Sequence, residues 1–366
     1  MRHLGWIFGA GMLALAGGAG AQTLTVAVAA APTSVDPHYH NLGPNNALSQ
    51  HIYGALVDTD ATAKPRPGLA LSWRPVDDTT WEFKLRPGVT FHDGTAFTAE
   101  DVVHTLARVP TVKNSPGSFL LFSRSVIKTE VVDPLTIRLT TRTVTPLLPV
   151  DLSQVAIIPR STGAEPATED FNALKHAIGA GPFRIAAWRP SDRAELVRND
   201  AYWGPKPHWE RVIYRMIPND SARTSALLAG DVDLIEAVPT QDLATLRTDK
   251  RIAMAEAVSL RVAYLMLDLS RKDGQPFVSG PNGEALATNP FQDVRVRRAL
   301  SLAINRQAIV DRVMEGAAVP TGQFLAPGNS GYVPDRAAPT QDIAMARRLL
   351  AEAGYPNGLR MTLHGP

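Results

Sequence analysis

The sequence predicts an α/β protein, and three observations support this class. Residues 81–86 alternate apolar and charged side chains, which is the pattern of a strand with one buried face. Residues 211–217, 221–229 and 232–236 have the patterns of a strand, a helix and a strand, an order that favours a parallel sheet. The chain has 366 residues, of which 45% are hydrophobic and 20% charged, an ordinary globular balance. We therefore expect a folded α/β chain that is long enough for two or three domains.

Residues 1–21 have the features of a cleaved export signal. Arg2 and His3 form a short basic start, and residues 6–15 form an apolar core that is too short to cross a bilayer. Residues 19–21 are small, as signal peptidase requires, so we expect cleavage before Gln22. The glycines of this segment disfavour the alternative of a buried N-terminal helix. The predicted mature protein is exported, most simply to a periplasm.

Composition excludes several classes of function. The chain has no cysteine, so disulfides, thiolate catalysis and cysteine-bound zinc are impossible. A formal net charge of +2 gives no reason to expect a nucleic-acid partner. The sequence also has no phosphate-binding loop of the G-x-x-x-x-G-K-[ST] type, so we do not expect it to hydrolyse ATP.

Residues 80–108 combine a strand, two turns and a helix start. Pro87-Gly88 and Asp93-Gly94 have turn composition, and the strand comes before them. Thr98 is predicted to cap a helix, with Asp101 three residues further on as its partner in a capping box. The segment predicts packed structure and no catalytic group.

Three later segments complete the predicted framework. Residues 126–132 and 135–140 are expected to form a hairpin, and residues 261–270 a strongly apolar strand. Residues 179–181, Gly-Ala-Gly, lead into a strand and not a helix, so a crossover in which glycine supplies an unusual backbone conformation is favoured over a phosphate site.

Eight blocks of the chain can be compared with known families. They are TWEFKLRPGVTFHDGTAFTAEDVVHTLAR (80–108), SVDPHYH (34–40), KPRPGLALSW (64–73), GAGPFRIAAW (179–188), RNDAYWGPKPHW (198–209), IPNDSARTSALLAGDVDLI (217–235), FQDVRVRRALSLAINRQAIVD (291–311) and AMARRLLAEAGYPNG (344–358). These blocks resemble those of family 5 extracytoplasmic solute-binding proteins, the oligopeptide- and dipeptide-binding type, and they occur in the order usual for that family.

The resemblance implies the fold of a type II periplasmic binding protein, a two-lobed α/β clamp with an inserted small domain. After the signal peptide, residues 22–58 and 178–262 would form lobe I, and residues 59–177 the inserted domain. Residues 263–366 would begin lobe II, which we expect to be incomplete because members of the family usually continue further.

The family function implied by the resemblance is substrate capture for an ABC import system. A periplasmic monomer would bind a short peptide or peptide-like solute in its cleft and deliver it to the permease subunits in the inner membrane, without a cofactor. Nickel chelates, haem, glutathione, opines and sugars remain alternative ligands within the same class. The residues that anchor peptide termini in relatives fall at or beyond residue 366, so they are not assigned.

Five residues are candidate ligand contacts. Ser34, His38 and Tyr39 lie in a polar loop after the first strand, Trp188 lies just past the predicted crossover, and Asp268 lies near the end of the predicted apolar strand. Hydrogen bonding and aromatic stacking are the chemistry that they offer. A structural role is the alternative for each of them.

A function of another class is also open. His38 and His40, with His51 and Asp36, could supply nitrogen and oxygen ligands to a metal, as in an exported metal-dependent hydrolase. No carboxylate motif completes such a site, so we predict no metal and no catalytic residue. A third interpretation is a non-binding fragment that folds poorly because its second lobe is incomplete.

Overall fold

A computed structural model describes residues 22–365 of the chain. The predicted signal peptide, residues 1–21, lies outside the described residues. The strands are β1 (Thr23–Val28), β2 (Gly54–Ala55), β3 (Val57–Thr59), β4 (Pro65–Pro67), β5 (Ala70–Pro75), β6 (Thr80–Leu85), β7 (Val126–Asp133), β8 (Thr136–Thr141), β9 (Ala156–Ile157), β10 (Phe183–Arg189), β11 (Arg193–Arg198), β12 (Arg211–Met216), β13 (Leu234–Ile235), β14 (Val278–Ser279) and β15 (Arg360–Met361). The helices are α1 (Gly43–Ile52), α2 (Ala99–Arg108), α3 (Leu120–Ser123), α4 (Leu148–Asp151), α5 (Thr168–Asn172), α6 (Asp220–Ala229), α7 (Leu243–Thr248), α8 (Val294–Ala303), α9 (Arg306–Arg312) and α10 (Ile343–Glu352).

The chain divides into two compact units. Unit 1 comprises the described residues up to Asp58 together with residues 65–237, and unit 2 comprises residues 59–64 and the described residues from Val238 onward. The lobe boundaries expected from the family resemblance remain a prediction. Among residues 22–365, no helix has the length and apolarity that crossing a membrane requires.

A five-stranded sheet in the order β10-β11-β12-β1-β13 forms one half of unit 1. Strand β1 lies between β12 and β13 and is parallel to both, which confirms the parallel arrangement predicted for residues 211–236. The connecting helix α6 begins after Asn219, whose side chain accepts a hydrogen bond from the Ala222 amide, and ends at Gly230 with a φ of 79°.

Four strands of this sheet end at the same edge. Because β10 and β12 are both antiparallel to β11, β10 runs in the same direction as β12 and β1. We call the edge where β1, β10, β12 and β13 end the carboxyl edge. The loop of residues 199–210, between β11 and β12, lies at the opposite edge.

A second, antiparallel sheet in the order β5-β6-β8-β7 packs against α2. The alternation predicted for β6 is confirmed for Phe83 and Leu85, which are buried. Thr98 and Asp101 form the predicted capping box at the start of α2. Glu82 departs from the pattern, because the alternation predicts an exposed side chain and Glu82 is only 4% exposed. Its carboxylate accepts hydrogen bonds from Arg74 and Arg138, which compensate its charge.

The crossover at residues 179–181 is present, but the expected reason for its glycines was wrong. The positive-φ glycines of the described chain do not include Gly179 or Gly181. The Gly181 amide instead donates to the Ile52 carbonyl at 3.0 Å, and a Cβ at Gly181 would lie 2.6 Å from the Ile52 carbonyl carbon. Glycine is therefore required for close backbone approach and not for an unusual φ.

Unit 2 has a smaller apolar cluster. Helices α8 and α10 pack with the short pair β14–β15 around three buried residues, Val278, Phe291 and Val296. The apolar strand predicted for residues 261–270 is not formed; the segment is irregular and largely exposed. A β-strand needs a neighbouring strand to satisfy its backbone hydrogen-bonding groups. No strand pairs with residues 261–270 in the described chain.

Candidate ligand-binding surface

The loop of residues 29–42 leaves the carboxyl end of β1, and we call it the β1 loop. In open α/β sheets, ligands bind outside the carboxyl ends of the strands, so the position of this loop makes it the first candidate surface of unit 1. At the same edge, Arg223 is buried and donates to the carbonyls of Ile217 and Ala237, which ties together the segments that follow β12 and β13.

A buried ion pair holds the β1 loop against α2. Nη2 of Arg108 lies 2.6 Å from Oδ2 of Asp36, Nη1 lies 2.9 Å from Oδ1, and both side chains are at most 2% exposed. The Thr168 hydroxyl donates to the same carboxylate at 2.6 Å. Burial alone would raise the pKa of Asp36, but the hydrogen bonds and charge of Arg108 hold it below its usual value. Asp36 is therefore ionised, and its charge is compensated inside the protein.

His38 completes this group, which we call the Asp36 cluster (Asp36, His38, Arg108 and Thr168). Its Nδ1 accepts a hydrogen bond from Arg108 at 2.8 Å, and its Nε2 donates to the Ala156 carbonyl at 2.7 Å. Burial, followed by the charge of Arg108, lowers the pKa of His38 from 6.5 to about 4. The ring is thus neutral at physiological pH, and both of its nitrogens are engaged within the protein.

Ser34 is also directed inward. Its hydroxyl donates to Oδ1 of Asn172 at 2.8 Å and accepts from the Asp36 amide at 3.0 Å. Nearby, the Tyr53 hydroxyl donates to the Val35 carbonyl. Ser34 and His38, both predicted from sequence as ligand contacts, therefore have buried side chains that fix the conformation of the β1 loop.

The last residues of the β1 loop are largely half-buried, and hydrogen bonds to residues 115 and 117 also hold them. The Asn41 amide donates to the Gly117 carbonyl at 2.8 Å, and the Ser115 hydroxyl donates to the Tyr39 carbonyl at 2.6 Å. The Tyr39 ring packs edge-on to His40, whose Nδ1 lies 3.0 Å from the Thr33 hydroxyl. Tyr39 thus presents a partly accessible aromatic ring on a fixed backbone.

A small pocket of about 50 Å³ opens beside this loop, and we call it the amide pocket. It shares a wall with the Asp36 cluster, since Pro37 and Ala156 belong to its lining. The lining residues are Pro37, Asn46, Ser49, Gln50, Tyr53, Gly54, Ala55, Phe119, Ser153, Gln154 and Ala156. The polar residues of this lining were not predicted from the sequence. Asn46, Ser49 and Gln50 do recur at helical spacing on α1, a pattern that places them on one face of the helix.

Trp188 and Asp268, the remaining predicted contacts, lie in different units. Trp188 is near the end of β10, so it lies at the carboxyl edge, where it packs partly buried against the sheet core. Asp268 belongs to unit 2, is exposed, and accepts hydrogen bonds from the amide and hydroxyl of Ser270.

The histidines considered for a metal are engaged separately. His38 bonds within the Asp36 cluster, His40 lies beside Thr33, and Nε2 of His51 lies 2.6 Å from the Tyr214 hydroxyl. Within residues 22–365, no group of three histidine or acidic side chains is placed to hold a metal ion. No described contact therefore favours the hydrolase alternative.

Comparison with known proteins identifies the family and the fold of this chain. Residues 64–364 match the family described as "Bacterial extracellular solute-binding proteins, family 5 Middle". The chain belongs to this family, as the resemblance predicted, and its fold is that of the type II periplasmic binding proteins.

Relatives cover nearly all of this chain but extend beyond the match. The glutathione-binding protein GsiB of Pectobacterium atrosepticum is 29% identical over 346 residues, which is 94% of this chain and 63% of the relative. This chain therefore spans less than two thirds of the length of that curated relative.

Solved structures show the same fold. The periplasmic binding protein DppA of Helicobacter pylori, in complex with the peptide STSA, has a TM-score of 0.69 at 24% identity, with 92% of this chain and 67% of that chain covered. The binding protein AgaA from A. tumefaciens R10, in complex with agropinic acid, has a TM-score of 0.67 at 27% identity, covering 92% and 65%.

Proposed function

We propose that this protein is the substrate-binding component of an ABC import system. It captures a short peptide or peptide-like solute in the periplasm, as a monomer, and delivers it to the permease in the inner membrane. It is not an enzyme on this proposal. The observation that carries the proposal is the β1 loop, which two buried networks fix at the carboxyl edge beside a polar pocket. Such preorganisation lowers the entropy lost when a ligand binds.

The ligand class is supported by two relatives. GsiB is described as glutathione-binding, and AgaA was solved with agropinic acid. Nickel chelate, haem or sugar remain the alternatives within the class.

In this proposal the predicted residues have distinct roles. Tyr39 and Trp188, at the carboxyl edge, contact the ligand through their rings. Ser34 and His38 act indirectly by holding the β1 loop, and Asp268 remains a proposed ligand contact.

Isothermal titration calorimetry tests the proposal directly. The whole chain is titrated with a panel of di- to pentapeptides, glutathione and agropinic acid. We expect at least one to bind at a 1:1 ratio, and Tyr39→Ala to weaken that binding at least roughly fivefold, because an aromatic contact contributes on the order of 1 kcal/mol.

The matched control is His208→Ala. His208 is exposed in the loop of residues 199–210, at the opposite edge of the sheet, so its removal is expected to leave the affinity unchanged. Absence of binding across the panel by the folded protein would exclude the peptide-like ligand class.

A further inference from the structure

The amide pocket combines apolar groups with uncharged polar side chains and has no charged residue in its described lining. Among its described lining residues, Asn46, Gln50 and Gln154 supply carboxamides, Ser49 and Ser153 supply hydroxyls, and no side chain is ionised at neutral pH. We infer that this pocket receives an uncharged hydrogen-bonding group of the ligand, such as a peptide amide, a carboxamide or a hydroxyl, and not an ammonium or a carboxylate. The inference rests on the proposed function and specifies its substrate.

The existing hydrogen bonds show what the pocket offers. Nδ2 of Asn46 donates to the Asn41 side chain at 2.8 Å, and Nε2 of Gln154 donates to the Ser153 hydroxyl at 3.1 Å. Within residues 22–365, the side-chain oxygens of Asn46 and Gln154 receive no hydrogen bond, and the Gln50 carboxamide makes none. The pocket therefore presents acceptors and donors together, which suits a ligand group that both donates and accepts.

The charges behind the pocket do not change this conclusion. Asp36 and Arg108 neutralise each other in a buried pair, and the pair is directed away from solvent toward Thr168 and His38. A ligand ion in the pocket would lose hydration without gaining an opposite charge from the lining, which is unfavourable. A neutral group loses less hydration free energy, and hydrogen bonds to the carboxamides compensate for that loss.

The size of the pocket sets the size of the group. A volume of about 50 Å³ exceeds what one water needs but is far smaller than a ligand site for a whole peptide. The pocket thus accommodates a few heavy atoms, such as one amide or one hydroxyl-bearing carbon, and the remainder of the ligand lies outside it.

Two charge-bearing variants test the inference. Gln154→Glu is nearly isosteric and adds a negative charge, and Gln154→Lys adds a positive one. Affinity is measured by calorimetry for the ligand of the peptide, glutathione and agropinic acid panel that binds the unaltered protein most tightly. We expect both variants to weaken binding, by roughly two- to tenfold for the lost neutral hydrogen bond alone.

The matched control is Gln22→Glu, which makes the same charge change at an exposed side chain by the amino end of β1. It is expected to leave the affinity unaltered, and circular dichroism confirms that each variant is folded. Asn46→Lys provides a second position for the positive charge should Gln154→Lys fail to fold.

Each outcome has a defined meaning. Tighter binding by Gln154→Glu would place an ammonium in the pocket, and tighter binding by Gln154→Lys would place a carboxylate there; either result overturns the inference. Unchanged affinity in both variants would show that the pocket is not used, although the proposed function would stand. If the unaltered protein binds nothing in the panel, the proposed function fails and the inference with it.

Discussion

Apolar residues predict a strand in both units, but only the segment in unit 1 forms one. In unit 1, β8 lies between β6 and β7, and its Leu139 is fully buried. In unit 2, residues 261–270 are more apolar than β8, yet Leu265 is 53% exposed and the segment pairs with no strand in the described chain. The difference shows that apolar patterning specifies a strand only where a neighbouring strand can satisfy its backbone.

The largest expected effect comes from breaking the ion pair of unit 1. Arg108→Met leaves Asp36 buried without its cation, so the free energy of unfolding should fall by about 3–5 kcal/mol. Urea denaturation followed by tryptophan fluorescence measures it, because the tryptophans of the described chain lie in unit 1.

The control for Arg108 is Arg66→Met. Arg66 pairs with Asp58 at 3.1 Å, but both side chains are more than half exposed, so the loss should be at most about 1 kcal/mol. Equal effects of the two substitutions would show that the Asp36 cluster is not a closed, buried network.

Two leucines provide a chemically identical comparison between the units. Leu139→Ala should destabilise unit 1 by about 2–5 kcal/mol because it leaves a cavity in a packed core. Leu265→Ala should change stability by no more than about 0.5 kcal/mol, since its side chain is already largely in water. Thermal unfolding monitored by circular dichroism measures both, and a large loss for Leu265→Ala would mean that residues 261–270 are packed.

The stability of unit 1 should also depend on pH. The pKa of His38 is 6.5 when unperturbed and about 4 in the fold, so between these values the unfolded chain binds the proton and the folded one does not. Stability should therefore decrease as the pH falls from about 6.5 to about 4. The lowered pKa of Asp36 adds a further loss only below its unfolded value, near 4.

Substitution isolates the histidine contribution. His38→Gln should reduce the slope of unfolding free energy against pH by up to about 1.4 kcal/mol per pH unit, the effect of one proton. Urea midpoints between pH 4 and pH 7 measure that slope, and an unchanged slope would show that His38 does not titrate as the fold indicates.

The sequence predicted local structure well where neighbouring residues determine it. The capping box of Thr98 and Asp101, the end of α6 at Gly230 and the parallel order of β12 and β13 all depend on short-range patterns. The sequence also predicted the two-lobed fold through the family resemblance, because such blocks in a fixed order are typical of one chain topology.

The candidate site was less predictable because it depends on contacts between distant segments. Nothing in the pattern of SVDPHYH indicates that Asp36 meets Arg108 or that His38 bonds Ala156, so a buried histidine appeared as a ligand contact. Gln154 and Phe119 reach the amide pocket from segments far from α1, and only the fold brings them together. The predicted contacts in the two units stay predictions until binding is measured.

The position of β1 between β12 and β13 determines when the sheet of unit 1 can be completed. Thr23 pairs with Arg211 and Val26 with Leu234, so β1 cannot complete both of its ladders before residue 235 has been made. The β7–β8 hairpin can form as soon as its two neighbouring strands have been made. Pairing of strands that are distant in sequence is slower than such local pairing. A chain synthesised from its N-terminus therefore keeps its main sheet open until late, and folding of that sheet is governed by the arrival of β12 and β13.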